Sequence, residues 1–490
     1  MRTPVRARVR VDPKSVQIVK LRRPRVDKWF GQRESARVEE IRRLFTTFGF
    51  LVARQGATTV IGLAYWAVTT HLFSARDVGL ASASASTALL LAAVGGVGIP
   101  LLLLAEIEAV DPDERRVMLT TGMAISGGIV LVLAVGTMVL SPLLGKSLSV
   151  IGGDPVTVVL FVTGSVATMS ALTVDNAAIG LHRGAALLWR NSLSSLLKLA
   201  FVGLLVLAAT RTYTGLIVAW AVAMILSVLV CIPMLALSPA RPGEGSVRNR
   251  VALARRFGKL SLQHHVLNLS IASVTYAVPL MATLLISPEE LAYFTAAYLI
   301  AAALLYLPYL LALSLFAERS GDPRLLHRHV RRTFPLGLAL SGAIVLVVEI
   351  TAPYVLRLFG PAYPAGGTTA LRLLILVAPA YVVKDHYVSI HRAQHRMSHA
   401  AKVMAIGTAL EVAGAAVGGA LWGLAGICGG WAFVAWCEAL VLFPGVLRAY
   451  RRVPAHAPRR QRARPSTDER HSSNGIPRPG SLLRDHGSSR

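Results

Sequence analysis

Cysteine is nearly missing from this 490-residue chain, and acidic side chains are few. Cys231, Cys428 and Cys437 all stand inside apolar stretches, with neither disulfide-framework nor metal-ligand spacing. They are expected to be small core residues, and no metal site is expected. No nucleotide-binding loop and no nucleophile–base arrangement is visible, so neither a nucleotide-driven motor nor a covalent enzyme is expected, and no cofactor. Apolar and polar residues nowhere alternate in segments of about ten, as the strands of a transmembrane barrel require. A secretory signal peptide is also missing: the first 47 residues are polar and strongly basic, and apolar sequence begins only after them.

What the chain has in excess is apolar length. Hydrophobic residues make up 54% of it, and its mean hydropathy is +0.56. Uncharged runs such as Gly79–Ala105, Val117–Gly145, Thr212–Ala240 and Leu291–Ala317 exceed the roughly 20 residues that span hydrocarbon. Twelve such stretches lie near 48–73, 80–105, 117–142, 156–175, 190–210, 213–237, 260–286, 290–316, 334–356, 369–390, 400–420 and 425–447. The expected fold is an all-α polytopic membrane protein. Its parts are a basic arm over 1–47, an N-lobe of helices 1–6 over 48–240, and a basic linker over 241–259. A C-lobe of helices 7–12 over 260–447 and a basic, disordered tail over 448–490 complete it.

Charge orients this plan. Fifty-one Lys and Arg stand against 25 Asp and Glu, a formal net charge of +26. With the arm, every second loop and the tail on one side, that side holds 44 of the 51 basic residues. Arg76, Lys146, Arg211, Arg357 and Arg372 fall opposite, while Lys198 and Lys384 lie within helices. Such asymmetry follows the positive-inside rule and makes both termini cytoplasmic, while the arginine- and alanine-rich composition points to a bacterium and so to its inner membrane. The basic segments are expected to meet anionic inner-leaflet lipids, not nucleic acid. Opposite loops are at most about fifteen residues. They leave no room for the acceptor domain of a polymerase or ligase working outside the cell.

The second half repeats the first. Ser74-Ala75-Arg76-Asp77 after helix 1 is echoed by Ser287-Pro288-Glu289-Glu290 after helix 7, an offset of 213. Ala105-Glu106 returns as Ala317-Glu318 (212), His182-Arg183 as His391-Arg392 (209), and Trp220 as Trp431 (211). Four matches in order at nearly one spacing mark a duplication. Six helices per half is an even number, so both halves enter in one direction and their pseudo-twofold axis runs along the membrane normal.

The stretch His71-Leu72-Phe73-Ser74-Ala75-Arg76-Asp77-Val78-Gly79-Leu80 and its echo Ile286-Ser287-Pro288-Glu289 carry a resemblance. They are similar to a segment of the polysaccharide-biosynthesis flippases of the multidrug/oligosaccharidyl-lipid/polysaccharide exporter superfamily. The likeness covers about residues 48–447 as a pattern of helices and loops. It departs from the lipid II flippases, which carry a basic–acidic pair where this chain has Tyr65-Trp66 and have fourteen helices instead of twelve. The resemblance implies alternating access for a lipid-linked saccharide, with glycosyltransferases and a polymerase of the same pathway as possible partners.

Charged side chains inside the bilayer nominate the working residues, because each costs about 2.5–3.5 kcal/mol to insert at a helix centre. Lys198 in helix 5 and Glu411 in helix 11 are separated by 213, the repeat offset itself. Both are expected to face the central cavity, Lys198 drawing a phosphate and Glu411 serving as counter-charge or ion-coupling group. Arg54, His264, Asn268 and Lys384 are expected near the inward mouth as further substrate contacts, in a cluster that also holds Asp175, Asn176, His265, Asp385 and His386. Glu349 and Glu438, read as buried carboxylates, join Glu411 as ion-coupling candidates. Those carboxylates also keep open a rival reading, an ion-coupled drug or metabolite antiporter. Glycines over Gly414–Gly430 suggest close helix packing, and Pro100, Pro279, Pro308 and Pro379 suggest kinks.

Overall fold

The computed structural model describes residues 60–235, 237, 275–314, 323–394 and 396–451. Among them nine helices are long and apolar enough to cross a membrane, and two shorter apolar helices accompany them. The N-lobe has α1 (Val60–Leu72), α2 (Ala75–Gly95, continued by Ile99–Glu106), α3 (Pro112–Val139), α4 (Pro155–Gly180), α5 (Gly184–Leu207) and α6 (Tyr213–Met234). The C-lobe has α7 (Thr275–Leu285), α8 (Pro288–Ser314), α9 (Pro323–Leu356) and α10 (Tyr363–Ile375, continued by Ala378–Ala393). It ends in one 55-residue helical stretch, Met397–Arg451, which turns back at Trp422–Gly423 into α11 (397–421) and α12 (424–451). The described helices of this multi-pass membrane protein fall at the twelve expected positions, and α1 and α7 are described only over segments shorter than a full span.

Local chemistry explains the repeated Ser-x-x-acidic pattern: it starts a helix. The Ser74 hydroxyl accepts the Asp77 amide at 3.1 Å, and Ser287 accepts the Glu290 amide at 3.3 Å. The Glu290 carboxylate accepts the Ser287 amide in return at 3.0 Å, which completes a capping box. Asp77 does a second job by accepting the Tyr213 amide at 3.0 Å, tying the start of α2 to the start of α6.

Two expected kinks are breaks. In α2 the chain passes through Val97 and Gly98 at φ 45° and 76°, and Pro100 opens the new segment. In α10 the break falls at Leu376–Val377, and Pro379 sits in the first turn after it. Proline lacks the amide that an interior turn would need, so a first turn suits it. Helix α9 begins about eleven residues before its expected start, through a basic stretch. Hydropathy misses this turn because it is amphipathic, with Val330 and Phe334 packed into the C-lobe core.

The core has the shape that matters for function. Over the half of the molecule holding the α1–α2 and α7–α8 turns, one continuous cluster joins both lobes, from Phe73, Leu80 and Phe161 to Phe294, Ile375 and Trp431. Toward the other ends of the helices the clusters of described residues part. The N-lobe keeps its own, with Ile107, Leu119, Val174 and Leu235. The C-lobe keeps another, with Val330, Phe334, Val383 and Val446. Among the described residues, the two bundles thus share one core at one end, the pinned end, and keep separate cores at the other.

The α11–α12 hairpin brings backbone against backbone at Gly418–Gly426 and at Gly414–Gly430. A Cβ on Gly418 would land on the Gly426 carbonyl, and one on Gly430 on the Gly414 carbonyl. Gly418→Val should cost about 1–3 kcal/mol as overpacking. A lower melting temperature of purified protein in detergent would report it. Gly128→Ala, where an added Cβ meets nothing within 4 Å, is the neutral control.

Candidate functional site

Each lobe holds a buried charge cluster, and the two have opposite sign. In the N-lobe, Arg190 of α5 forms a bidentate pair with Asp175 of α4 through Nε and through Nη2, the latter at 2.6 Å. Nη2 also donates to Asn191 Oδ1 at 2.8 Å, while the buried Nη1 has no hydrogen-bond partner among the described residues. Two turns further along α5, Lys198 stands with its ammonium 5.0 Å from the centre of the Tyr65 ring. No carboxylate among the described residues pairs with it. It lines a cavity of about 180 Å³ together with Tyr65, Trp66, Thr168, Trp220 and Met224. The N-lobe cluster of Asp175, Arg190 and Lys198 carries one net positive charge.

In the C-lobe the lysine is fully engaged. Lys384 of α10 reaches Glu411 of α11 at 2.5 Å and Glu438 of α12 at 2.7 Å. Tyr381, one turn before Lys384, donates its hydroxyl to Glu411 at 3.2 Å and offers its ring to the ammonium at 4.7 Å. Trp431 packs edge-on against Tyr381 at 5.9 Å. Glu411 is wholly buried, and Lys384 and Glu438 are nearly so. Glu438 is within ion-pair range of Lys384, yet neither of its oxygens makes a well-directed hydrogen bond among the described residues. Charge holds it there. Counted formally, two carboxylates against one ammonium leave this cluster at minus one.

The repeat explains the inversion. Asp175 plus 209 is Lys384, and Lys198 plus 213 is Glu411, so acid faces base at both equivalent positions. Lys198 and Glu411 each lie fourteen residues from the start of their helices, about 21 Å along the axis at 1.5 Å per residue. They share a depth but do not meet. The partner of Glu411 is Lys384, and Lys198 looks into its own lobe's cavity.

The other candidates separate. Glu349 sits near the pinned end of α9, where Arg372 contacts its carboxylate at 3.3 Å and its carbonyl at 2.8 Å. With 37% of its side chain exposed, it is no buried carboxylate. Its place near a helix end, within reach of Arg372, accounts for this. His386 is committed to the C-lobe interior, Nδ1 on the Val382 carbonyl at 2.8 Å and Nε2 against Thr333 at 3.1 Å. Arg54, His264 and Asn268 lie outside the described residues. Arg190 was missed because a basic residue six positions into a helix reads as an interfacial anchor. The available signal was Asp175, a carboxylate at the end of the preceding helix that needs a partner.

Two pseudo-symmetric six-helix lobes define the class: polytopic all-α membrane proteins with the fold seen in solved MOP superfamily transporters. A family model described as "Polysaccharide biosynthesis protein" matches residues 45–316, and the chain belongs to that family. No curated protein matches the sequence. Among solved structures, the fold is similar to an inward-facing multidrug resistance MATE family transporter of the MOP superfamily. There the TM-score is 0.61 at 16% identity, covering 80% of this chain and 94% of that one. It is also similar to the lipid II flippase MurJ in an inward closed conformation, with a TM-score of 0.63 at 12% identity over 83% and 90% of the two chains. A third likeness is to a MOP superfamily transporter from Pyrococcus furiosus, described by a binding pocket of reverse polarity. Its TM-score is 0.54 at 16% identity, over 81% and 95%.

Proposed function

We propose that this protein carries a lipid-linked saccharide from the inner to the outer leaflet of a bacterial cell membrane, by alternating access and without covalent chemistry. The observation that carries the reading is Lys198, an ammonium without a carboxylate partner among the described residues, lining a cavity inside a two-lobed bundle. A charge left unneutralised in a membrane interior calls for an anion, and the phosphates of a polyprenyl-diphosphate saccharide supply one. The separately packed ends of the lobes carry Arg183, Arg328, Arg331 and Arg332, and we infer a substrate cleft between them that the positive-inside rule turns toward the cytoplasm. Family membership supports the saccharide.

The C-lobe cluster fits a supporting role. Glu411 and Glu438 outnumber Lys384 by one charge, which makes this cluster the place for a coupled cation. It does not offer a free anionic wall to an organic cation, because Lys384 already occupies it. The antiporter reading loses ground for that reason.

In proteoliposomes, Lys198→Ala should slow transbilayer movement of a fluorescent polyprenyl-diphosphate disaccharide by about tenfold or more, the loss of one charge-assisted contact of about 1.5–3 kcal/mol. Lys198→Arg should retain part of the activity. Unchanged movement in the alanine variant would remove Lys198 from the mechanism. Cells lacking the protein should lose a surface polysaccharide without becoming dye-sensitive.

A further inference from the structure

We propose that the Lys198 cavity is a subsite for one sugar ring and its phosphate, the sugar nearest the lipid, with the rest of the saccharide lying in the cleft. This deepens the reading above and rests on it. At about 180 Å³ the cavity is smaller than the roughly 300–1,000 Å³ of pockets that hold drug-sized ligands. One ring fits; an oligosaccharide does not.

The lining matches the two faces of a sugar. A pyranose presents a flat patch of C–H bonds, slightly positive, which sits well on the negative face of an aromatic ring. Trp66 of α1 and Trp220 of α6 furnish such rings, while the Tyr65 ring lies under the Lys198 ammonium and packs edge to face with Trp66 at 5.4 Å. Trp220 closes in on α4 because residue 164 is glycine; a Cβ there would meet its ring. The rim of a pyranose is hydroxyl. Thr168 donates its proton to the Gly164 carbonyl at 2.8 Å, which leaves its oxygen free to accept from a sugar hydroxyl. Lys198 has three donors and no acceptor, suited to a phosphate at the anomeric carbon. An inorganic phosphate would leave the Trp66 and Trp220 walls without purpose, and an organic cation would meet Lys198. The sugar phosphate answers both halves of the lining.

The test uses the full chain in lipid nanodiscs and a labelled polyprenyl-diphosphate disaccharide as reporter. Competitors are inorganic phosphate, free hexoses, and the 1-phosphates of glucose, galactose, mannose, N-acetylglucosamine and N-acetylgalactosamine. At least one sugar 1-phosphate should displace the reporter about tenfold better than phosphate or its own free sugar. Trp66→Leu and the gentler Trp220→Phe should each erase most of that advantage while leaving competition by inorganic phosphate unchanged. Lys198→Met should erase the advantage of the phosphate-bearing sugar over the free one. If the reporter binds but no sugar 1-phosphate beats phosphate, the subsite is wrong and the flippase reading stands. The subsite is equally wrong if the tryptophan variants compete like the parent protein. If the reporter does not bind at all, the reading beneath the subsite fails, and the subsite with it.

Discussion

Lys384→Met should destabilise the C-lobe's interior as much as the largest apolar truncations do, at a cost of about 3–5 kcal/mol. The substitution leaves Glu411 and Glu438 facing each other across the space the ammonium filled. Both carboxylates are buried, and the Glu438 oxygens have no directed hydrogen bond among the described residues to fall back on. Taking a lone carboxylate out of water costs several kcal/mol even after relaxation, and two like charges at this range repel as well. A control isolates the cause. Adding Glu411→Gln and Glu438→Gln to Lys384→Met removes the stranded charges together and should return most of the lost stability, since a buried ion pair is commonly matched by neutral side chains. Melting in detergent near neutral pH reads all of these. A single variant that melts with the parent, or a triple variant no better than the single, would mean that the cluster is not held by charge.

This asymmetry between lobes also says what could be read from residues alone. The duplication, the twelve passes and the equivalence of Lys198 with Glu411 were legible because each depends on spacing along one chain. Partner choice was not. Glu411 looks symmetrical with Lys198 in register, yet α10 brings Lys384 within 2.5 Å of it, a relation between helices that no offset encodes. Glu349 read as buried because its neighbours in sequence are apolar, while in the fold those neighbours include Val347 and Ile350 on an exposed face, and Arg372 meets the carboxylate. Tyr65 and Trp66 registered only as a departure from the lipid II flippases. Their use became visible when the cavity put Lys198 beside them. The glycines of the α11–α12 hairpin were legible in kind, since small residues in membrane helices mark close approach, and the geometry added which glycine meets which.

The second large effect concerns the pinned end. Gly79→Val should bias the protein away from the state in which the lobes meet there. Gly79 lies in the first turns of α2, and a Cβ on it would fall on the Pro288 carbonyl at the start of α8. Each backbone is the other's wall. The capping of both helices makes the contact stiff: Ser74 and Asp77 hold the first turn of α2, Asp77 also holds Tyr213 of α6, and Ser287 with Glu290 holds α8. A side chain at 79 therefore cannot be absorbed by fraying one end. The lobes must part, and only the state that pins them is penalised, by about 1–3 kcal/mol. A penalty confined to one state shifts a two-state equilibrium by about 5–150-fold. A cysteine at Ala81 or Ala85, on α2 beside the pin, should gain labelling by a membrane-impermeant maleimide applied from outside. Transport should fall although the protein melts near its usual temperature, because the energy is lost from one conformation and not from the lobes themselves. Labelling that stays at the parent level while stability drops would place Gly79 in ordinary packing. Labelling that rises while transport persists would mean that closure at this end is not a step of the cycle.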